Sequence, residues 1–319
     1  MTDIRDTAIL GAGVIGASWA ALFLAAGHNV AIHDVAPDAE AAVRRYVDQA
    51  WPALEQLGLV KAGHLGNLRV CQTARAAVEG AAFIQENVPE RLAIKHGVYA
   101  EIEPALAPGA IVATSASGLT LSEMQAGWKN PARFVLGHPF NPPHLIPLVE
   151  VMGNARTAAG VVEAAEAFYQ QAGKVTVRVN REVPGHVANR LQAAVWREAI
   201  HLVKTGVASV EDVDKAMWAG PGLRWAAMGP TMLFHLGAGE GGLKAFCERY
   251  TDSFNRWWDD LGVLHLDAPT AETLVSGMTD ATAGQSQAEL STKRDALITA
   301  IQKAMSPLRQ AGKKGGPEH

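Results

Sequence analysis

Through roughly the first 180 residues, short apolar runs rich in β-branched residues alternate with longer stretches whose apolar positions recur at helical spacing. The runs at residues 7–10, 29–33, 68–70, 81–86, 110–114, 134–137, 148–152 and 174–179 read as strands. Continuously apolar strands separated by helices are the grammar of a mostly parallel sheet covered on both faces. Residues 157–172 read as one of the covering helices, with Thr157 as its cap and Gly173 as a left-handed stop. After Glu182 the pattern changes, and residues 185–204, 209–219, 230–250 and 285–305 read as helices with hardly a strand signal between them. The chain is therefore expected to be α/β, a Rossmann-type doubly wound sheet followed by an all-α C-terminal domain, with the boundary near Pro184.

One local motif sharpens this picture. Gly11-Ala12-Gly13-Val14-Ile15-Gly16 follows the first strand and opens a helix, and the next strand ends at Asp34, about twenty residues into the unit. In such a unit Gly11 permits a tight turn, Gly13 lets the backbone approach a pyrophosphate, and Gly16 lets helix and strand pack closely. The amides of Val14 and Ile15 face the phosphates at the helix N-terminus. The Asp34 carboxylate accepts from an adenosine ribose and repels a 2′-phosphate, so NAD is expected rather than NADP.

Composition adds limits. In 319 residues, 48% are hydrophobic and 19% charged, which excludes a disordered chain, and the length exceeds what one core usually supports. The net charge of −4 comes without a basic block, so neither nucleic acid nor an anionic membrane is an expected partner. Two cysteines, Cys71 and Cys247, fit a reducing compartment and read as packed thiols. No histidine or cysteine spacing suits a metal. No apolar run reaches membrane-spanning length, and residues 1–6 lack the order of a signal peptide, so a cytoplasmic protein is expected. The glycine- and lysine-rich tail at 311–319 reads as disordered.

The chemistry is expected between two further strands. His138 closes one of them, in Gly137-His138-Pro139-Phe140-Asn141-Pro142, and Glu150 lies in the next, Pro147-Leu148-Val149-Glu150-Val151. The chain returns on itself within those twelve residues, which can bring an imidazole and a carboxylate together as a base and the group that fixes its tautomer. Ser115 and Ser117 follow another strand, at the sheet edge where open α/β folds bind ligands. Asn189 stands at the start of the helical region.

Taken in order, the glycine motif, the Glu86-Asn87 step, the serine loop, the H-P-F-N-P segment, the P-L-V-E-V strand and the P-G-x-x-x-N-R helix resemble the 3-hydroxyacyl-CoA dehydrogenase superfamily over nearly the whole chain. Gln85 to Glu90, Gly222 to Pro230 and a long C-terminal helix look most like its branch acting on free 3-hydroxy acids, which includes lambda-crystallin (L-gulonate 3-dehydrogenase) and L-carnitine 3-dehydrogenase. The resemblance implies an NAD-binding domain over 1–183 and a helical dimerisation and substrate domain over 184–319. It implies NAD-dependent oxidation by a homodimer, with His138 as base, Glu150 as its partner, and Ser117 and Asn189 bonding the substrate oxygen. Glu86, Arg91 and Ser115 join the cofactor contacts; Ser115 stands where acyl-CoA members usually have asparagine.

Two classes of alternative stay open: a 3-hydroxyacyl-CoA substrate, and a crystallin-like structural or NAD-binding protein without turnover. Residues 39–66 carry Arg44, Arg45 and Lys61 but no dense cationic patch of the kind that meets CoA phosphates. Arg224, read as part of a glycine-rich loop, is the candidate clamp for the carboxylate of a small anionic 3-hydroxy acid. Trp225 is the candidate for shaping the pocket or facing a trimethylammonium group.

Overall fold

The computed structural model of the chain describes residues 4–313, with side chains through Met305. Two compact units emerge: residues up to Val187 together with those from Thr292 onward, and residues Ala188 to Ser291. The first holds β1 (Asp6–Leu10), α1 (Val14–Ala26), β2 (Asn29–His33), α2 (Ala39–Gln56), β3 (Leu68–Val70), α3 (Ala74–Val78) and β4 (Phe83–Glu86). It continues with α4 (Leu92–Ile102), β5 (Ile111–Thr114), α5 (Leu121–Gln125), β6 (Phe134–Pro139), β7 (Leu148–Met152), α6 (Val161–Gln171) and β8 (Val175–Arg178).

The eight strands form one sheet in the order β3-β2-β1-β4-β5-β6-β7-β8, parallel except for the antiparallel β6–β7 pair. Alternate side chains serve opposite faces. Ile9 joins a core with α1 and α6 through Trp19, Phe23, Phe168 and Tyr169. Ala8 and Leu10 join the other core with Tyr99, Met124 and Trp128. Ten consecutive residues of α1, Gly16 to Ala25, are buried, which explains why its sequence is apolar all round. The expected doubly wound sheet is thus present, with the bounds of β2, β3 and β7 as read from the sequence.

The second unit is helical: α7 (Ala188–Lys204), α8 (Val210–Ala219), α9 (Pro221–Ala227), α10 (Pro230–Gly237), α11 (Gly242–Asp260) and α12 (Ala268–Thr282). The last helix, α13 (Gln287–Lys313), starts among these residues. From Thr292 it groups with the first unit, where Gln302 Nε2 donates to the Leu145 carbonyl.

Several expectations need correction. The helix expected at 157–172 starts only at Val161, because Gly160 takes φ 81° and the Thr157 hydroxyl accepts from Asn154 N instead of capping. The helix expected at 185–204 starts at Ala188, since Gly185 and His186 sit at φ 75° and 50°. That at 230–250 splits into α10 and α11 around left-handed Gly239 and Gly242. Both α9 and α12 were not foreseen; α12 is capped by Asp267, which accepts from Thr270 N at 2.9 Å. Of the two thiols expected to be packed, Cys71 is buried and Cys247 exposed. The expected disorder at 311–319 falls partly on α13, which runs to Lys313; residues 314–319 lie outside those described.

Candidate active site

The strand order reverses at the β1–β4 junction, and the loops leaving these strands form the crevice where such sheets bind ligands. Gly11 lies at φ 85°, and a Cβ there would stand 2.7 Å from the Asn87 carbonyl oxygen of the neighbouring loop. At Gly16 an added Cβ would come within 1.8 Å of the Gly11 oxygen, so the α1 start tolerates no side chain. Above Gly13, by contrast, nothing lies within 4 Å, and this N-cap residue carries no side-chain cap. The first-turn amides of α1 have no intrahelical acceptor and no side-chain cap to satisfy them. Asp34, at the end of β2, accepts from Ala12 N at 2.6 Å and Ala36 N at 2.8 Å, which fixes its carboxylate beside the glycine turn. Turn, open N-terminus and acid together fit the pyrophosphate and ribose of NAD.

Around this crevice the other candidates fall into distinct networks. The Ser115 hydroxyl accepts from Gln85 Nε2 at 2.8 Å and Trp19 Nε1 at 3.3 Å and donates to Asn87 Oδ1 at 2.7 Å. Tyr169 closes the chain by donating to Gln85 Oε1 at 2.6 Å. Glu86 is fully buried: Lys95 Nζ reaches its two oxygens at 2.7 and 2.9 Å, Tyr99 donates at 2.8 Å and Val88 N at 2.7 Å. Its carboxylate holds the 87–91 loop from inside. Arg91 is exposed and forms the N-cap position of α4.

That loop carries a residue the sequence had not singled out for the site. Glu90 accepts from the amides of Ser117 and Gly118 at 2.6 Å and of Leu119 at 3.2 Å, and from the Ser117 hydroxyl at 3.3 Å. Burial alone would raise its pKa, but the amides of Gly118, Leu119 and Ser117 outweigh it and keep the carboxyl below its usual range. Ser117 thus stands on a loop clamped by a charge 27 residues earlier in the chain.

His138 and Glu150 are cross-strand partners in the β6–β7 register, so their side chains share a face. Nδ1 of His138 lies 2.9 Å from Glu150 Oε2, and both residues are buried. A carboxylate only accepts, so Nδ1 carries the proton and Nε2 is left as the basic lone pair. The other carboxylate oxygen accepts from Val187 N at 2.8 Å. The connecting loop is held by buried Lys174, which donates to the Pro143 carbonyl and, at 2.7 Å, to Ile146 O. Burial depresses the Lys174 ammonium to about 7, and its nitrogen sits 4.8 Å over the Trp19 ring.

Asn189, Arg224 and Trp225 belong to the second unit. Asn189 is half-buried in the first turn of α7. Arg224 and Trp225 lie on α9, which corrects the reading of a glycine-rich loop. Gly220 precedes that helix and Gly222 sits inside it, where a Cβ would meet Met217 O at 2.8 Å. Both Arg224 and Trp225 are exposed. Among the described residues, no group of three or more His, Cys, Asp or Glu is arranged to hold a metal ion, and no helix is long and apolar enough to cross a membrane.

Comparison with known proteins agrees with this geometry. The sequence model of the NAD-binding domain of 3-hydroxyacyl-CoA dehydrogenase matches residues 6–183, and that of its C-terminal domain residues 185–264. The chain is 46% identical over 308 residues to an L-carnitine dehydrogenase of Nocardiopsis dassonvillei, covering 97% of this chain and 94% of the relative. With an L-carnitine dehydrogenase of Streptomyces coelicolor it shares 44% over 316 residues, covering 99% and 98%. A crystal structure of an NAD-dependent 5-formyl-3-hydroxy-2-methylpyridine 4-carboxylic acid 5-dehydrogenase superposes with a TM-score of 0.82 at 30% identity, covering 95% of this chain and 99% of that one. The chain belongs to the 3-hydroxyacyl-CoA dehydrogenase family and is an NAD-dependent oxidoreductase acting on a CH–OH group.

Proposed function

We propose that this protein oxidises the 3-hydroxyl of a small free 3-hydroxy acid to the 3-oxo acid, with L-carnitine the foremost candidate. The observation that carries the reading is the buried His138–Glu150 pair, which leaves one imidazole nitrogen free as a base. The similarity to two L-carnitine dehydrogenases supports the choice of acid.

Bound NAD supplies the hydride acceptor. His138 Nε2 takes the hydroxyl proton, and Glu150, held by Val187 N, stabilises the imidazolium that forms. Ser117 and Asn189 hydrogen-bond the substrate oxygen as it passes from alcohol to carbonyl. Glu86, Arg91 and Ser115 serve the cofactor, Glu86 and Ser115 through the networks that shape its crevice. Arg224 clamps the substrate carboxylate and Trp225 faces its cationic end. Both side chains are exposed on α9, a guanidinium suited to a carboxylate and an indole suited to a quaternary ammonium group.

A CoA thioester finds less support, because Arg44 on α2 is paired with Glu40 at 2.8 Å and no cationic cluster replaces it there. Exposed tryptophans of the second unit, Trp196, Trp218, Trp257 and Trp258, favour burial against a second copy and hence a homodimer. Two free cysteines fit a cytoplasmic setting.

Initial rates of NADH formation with L-carnitine, L-gulonate, L-3-hydroxybutyrate and its CoA thioester test the reading. Turnover is expected with free acids, L-carnitine foremost, and Arg224→Ala should raise KM for that acid about tenfold or more. Turnover with the thioester alone would overturn the free-acid assignment, and NAD binding without any turnover would favour the non-enzymatic reading. The cofactor side has its own test. Asp34→Arg removes the ribose acceptor and introduces a partner for a 2′-phosphate, so the ratio of kcat/KM for NADP to that for NAD should rise. An unchanged ratio would remove Asp34 from the cofactor site.

A further inference from the structure

His186 precedes the residue whose amide holds Glu150, and the proposed reaction does not use it. It is 2% exposed and occupies φ 50°, a left-handed conformation uncommon for residues other than glycine and of modest cost for histidine. Its Nε2 lies 3.3 Å from the Ala116 carbonyl, and its ring centroid is 5.2 Å from that of His138. A carbonyl only accepts, so Nε2 carries the proton. That leaves Nδ1 as a buried nitrogen without a hydrogen-bond partner among the described residues. An unsatisfied atom and a left-handed backbone at one residue are both unfavourable, so something in the site must favour an imidazole there.

Two features of the surroundings suggest what. Ala116 lies in the serine loop immediately before Ser117, and Val187, immediately after His186, donates to Glu150 Oε1. Residues 186 and 187 therefore join the loop that carries Ser117 to the pair that carries the base. The donor to Ala116 also has to remain uncharged. The groups acting on His186 are His138, Glu150 and Glu90; burial is the leading influence and lowers its pKa, the Ala116 carbonyl and the two carboxylates oppose this, and His138 adds to it. A lysine or arginine donor at this place would repel the proton that His138 must accept.

We propose that His186 is a positioning residue, whose neutral imidazole anchors the serine loop to the His138–Glu150 pair so that base and Ser117 are presented as one rigid unit. The proposal rests on the function proposed above. His186→Gln keeps an amide N–H donor for Ala116 without a titratable group, whereas His186→Phe keeps a ring without a donor. In steady-state assays His186→Phe should lower kcat about tenfold or more, with KM for NAD and for the hydroxy acid within about twofold. His186→Gln should retain kcat within about threefold.

Equal kcat in the two variants would overturn the proposal, as would a loss in His186→Phe that appears in KM alone. Should His186→Phe fail to fold, His186→Met carries the same expectation, since it too fills space without donating. His138→Gln run in parallel separates the layers. If it is inactive while His186→Phe turns over like the unmodified protein, only the role of His186 falls; if it is active, the base assignment falls and the positioning role with it.

Discussion

Replacing His138 with glutamine should lower kcat by about 10²- to 10⁴-fold while NADH binding, followed by fluorescence titration, stays within a factor of about two. The asymmetry follows from the geometry. The imidazole stands at the end of β6 opposite Glu150, whereas the elements suited to the dinucleotide, the glycine turn and Asp34, lie on the loops after β1 and β2. Glutamine preserves a polar side chain of similar length but has no lone pair basic enough to take a proton at neutral pH. Glu150→Gln should fall in the same direction, because an amide neither fixes the Nδ1–H tautomer as firmly nor stabilises the imidazolium. Turnover by His138→Gln within a factor of about three of the unmodified protein would remove His138 as the base. A parallel loss of NADH binding would show that the substitution had disturbed the crevice.

That pair could be anticipated because both its causes are local. Strand-forming runs flank a short proline-rich connection, and an antiparallel return places residues twelve apart directly opposite one another. The glycine turn is legible for a similar reason, since the positive φ of Gly11 and the close approach of Gly16 to the Gly11 oxygen fall within six residues, whereas the crowding of Gly11 by the Asn87 carbonyl comes from a distant loop. The strands were legible because a sheet covered on both faces favours short, mostly apolar runs rich in β-branched residues, and β2, β3 and β7 keep the bounds read from the sequence although Arg69 interrupts β3 and Glu150 interrupts β7.

What escaped the sequence depends on partners distant in the chain or on backbone angles that side-chain pattern does not encode. Glu90 finds its amides in a loop beginning 27 residues later, and nothing near position 90 announces that contact. His186 lies in a stretch whose apolar spacing continues into α7, so the pattern extends the helix over a residue that is left-handed. The stretches around α9 and α12 contain glycine and proline that read as breakers. In the fold Gly220 and Pro221 start α9, and Asp267 with Pro269 start α12. One signal was readable and carried more than it was given: Lys95 falls on the buried stripe of α4 with Tyr99 and Ile102, at helical spacing. A charge on an apolar stripe calls for a buried counter-charge.

That counter-charge is Glu86, and breaking the pair should be the most destabilising polar substitution in the first unit. Lys95 and Glu86 are both essentially inaccessible, so neither finds water when its partner is removed. A buried ion left alone typically costs about 3–5 kcal/mol, which for a unit of this size lowers Tm on the order of 10 °C. Lys95→Met leaves the carboxylate with only the Tyr99 hydroxyl and Val88 amide, and Glu86→Gln leaves the ammonium facing an amide and the Val88 carbonyl. Combining the two should recover part of the loss, because a glutamine can still accept from Tyr99 or Val88 while no charge remains buried. Thermal and urea denaturation of the single variants and the double variant measure this coupling. Single variants within about 1 kcal/mol of the unmodified protein, or a double variant at the sum of the two losses, would show that the pair is not the clamp holding the 87–91 loop. The loop bears Asn87 against the glycine turn and Glu90 against the serine loop. Destabilising its root should therefore weaken NAD binding and turnover together, unlike the selective loss expected at His138.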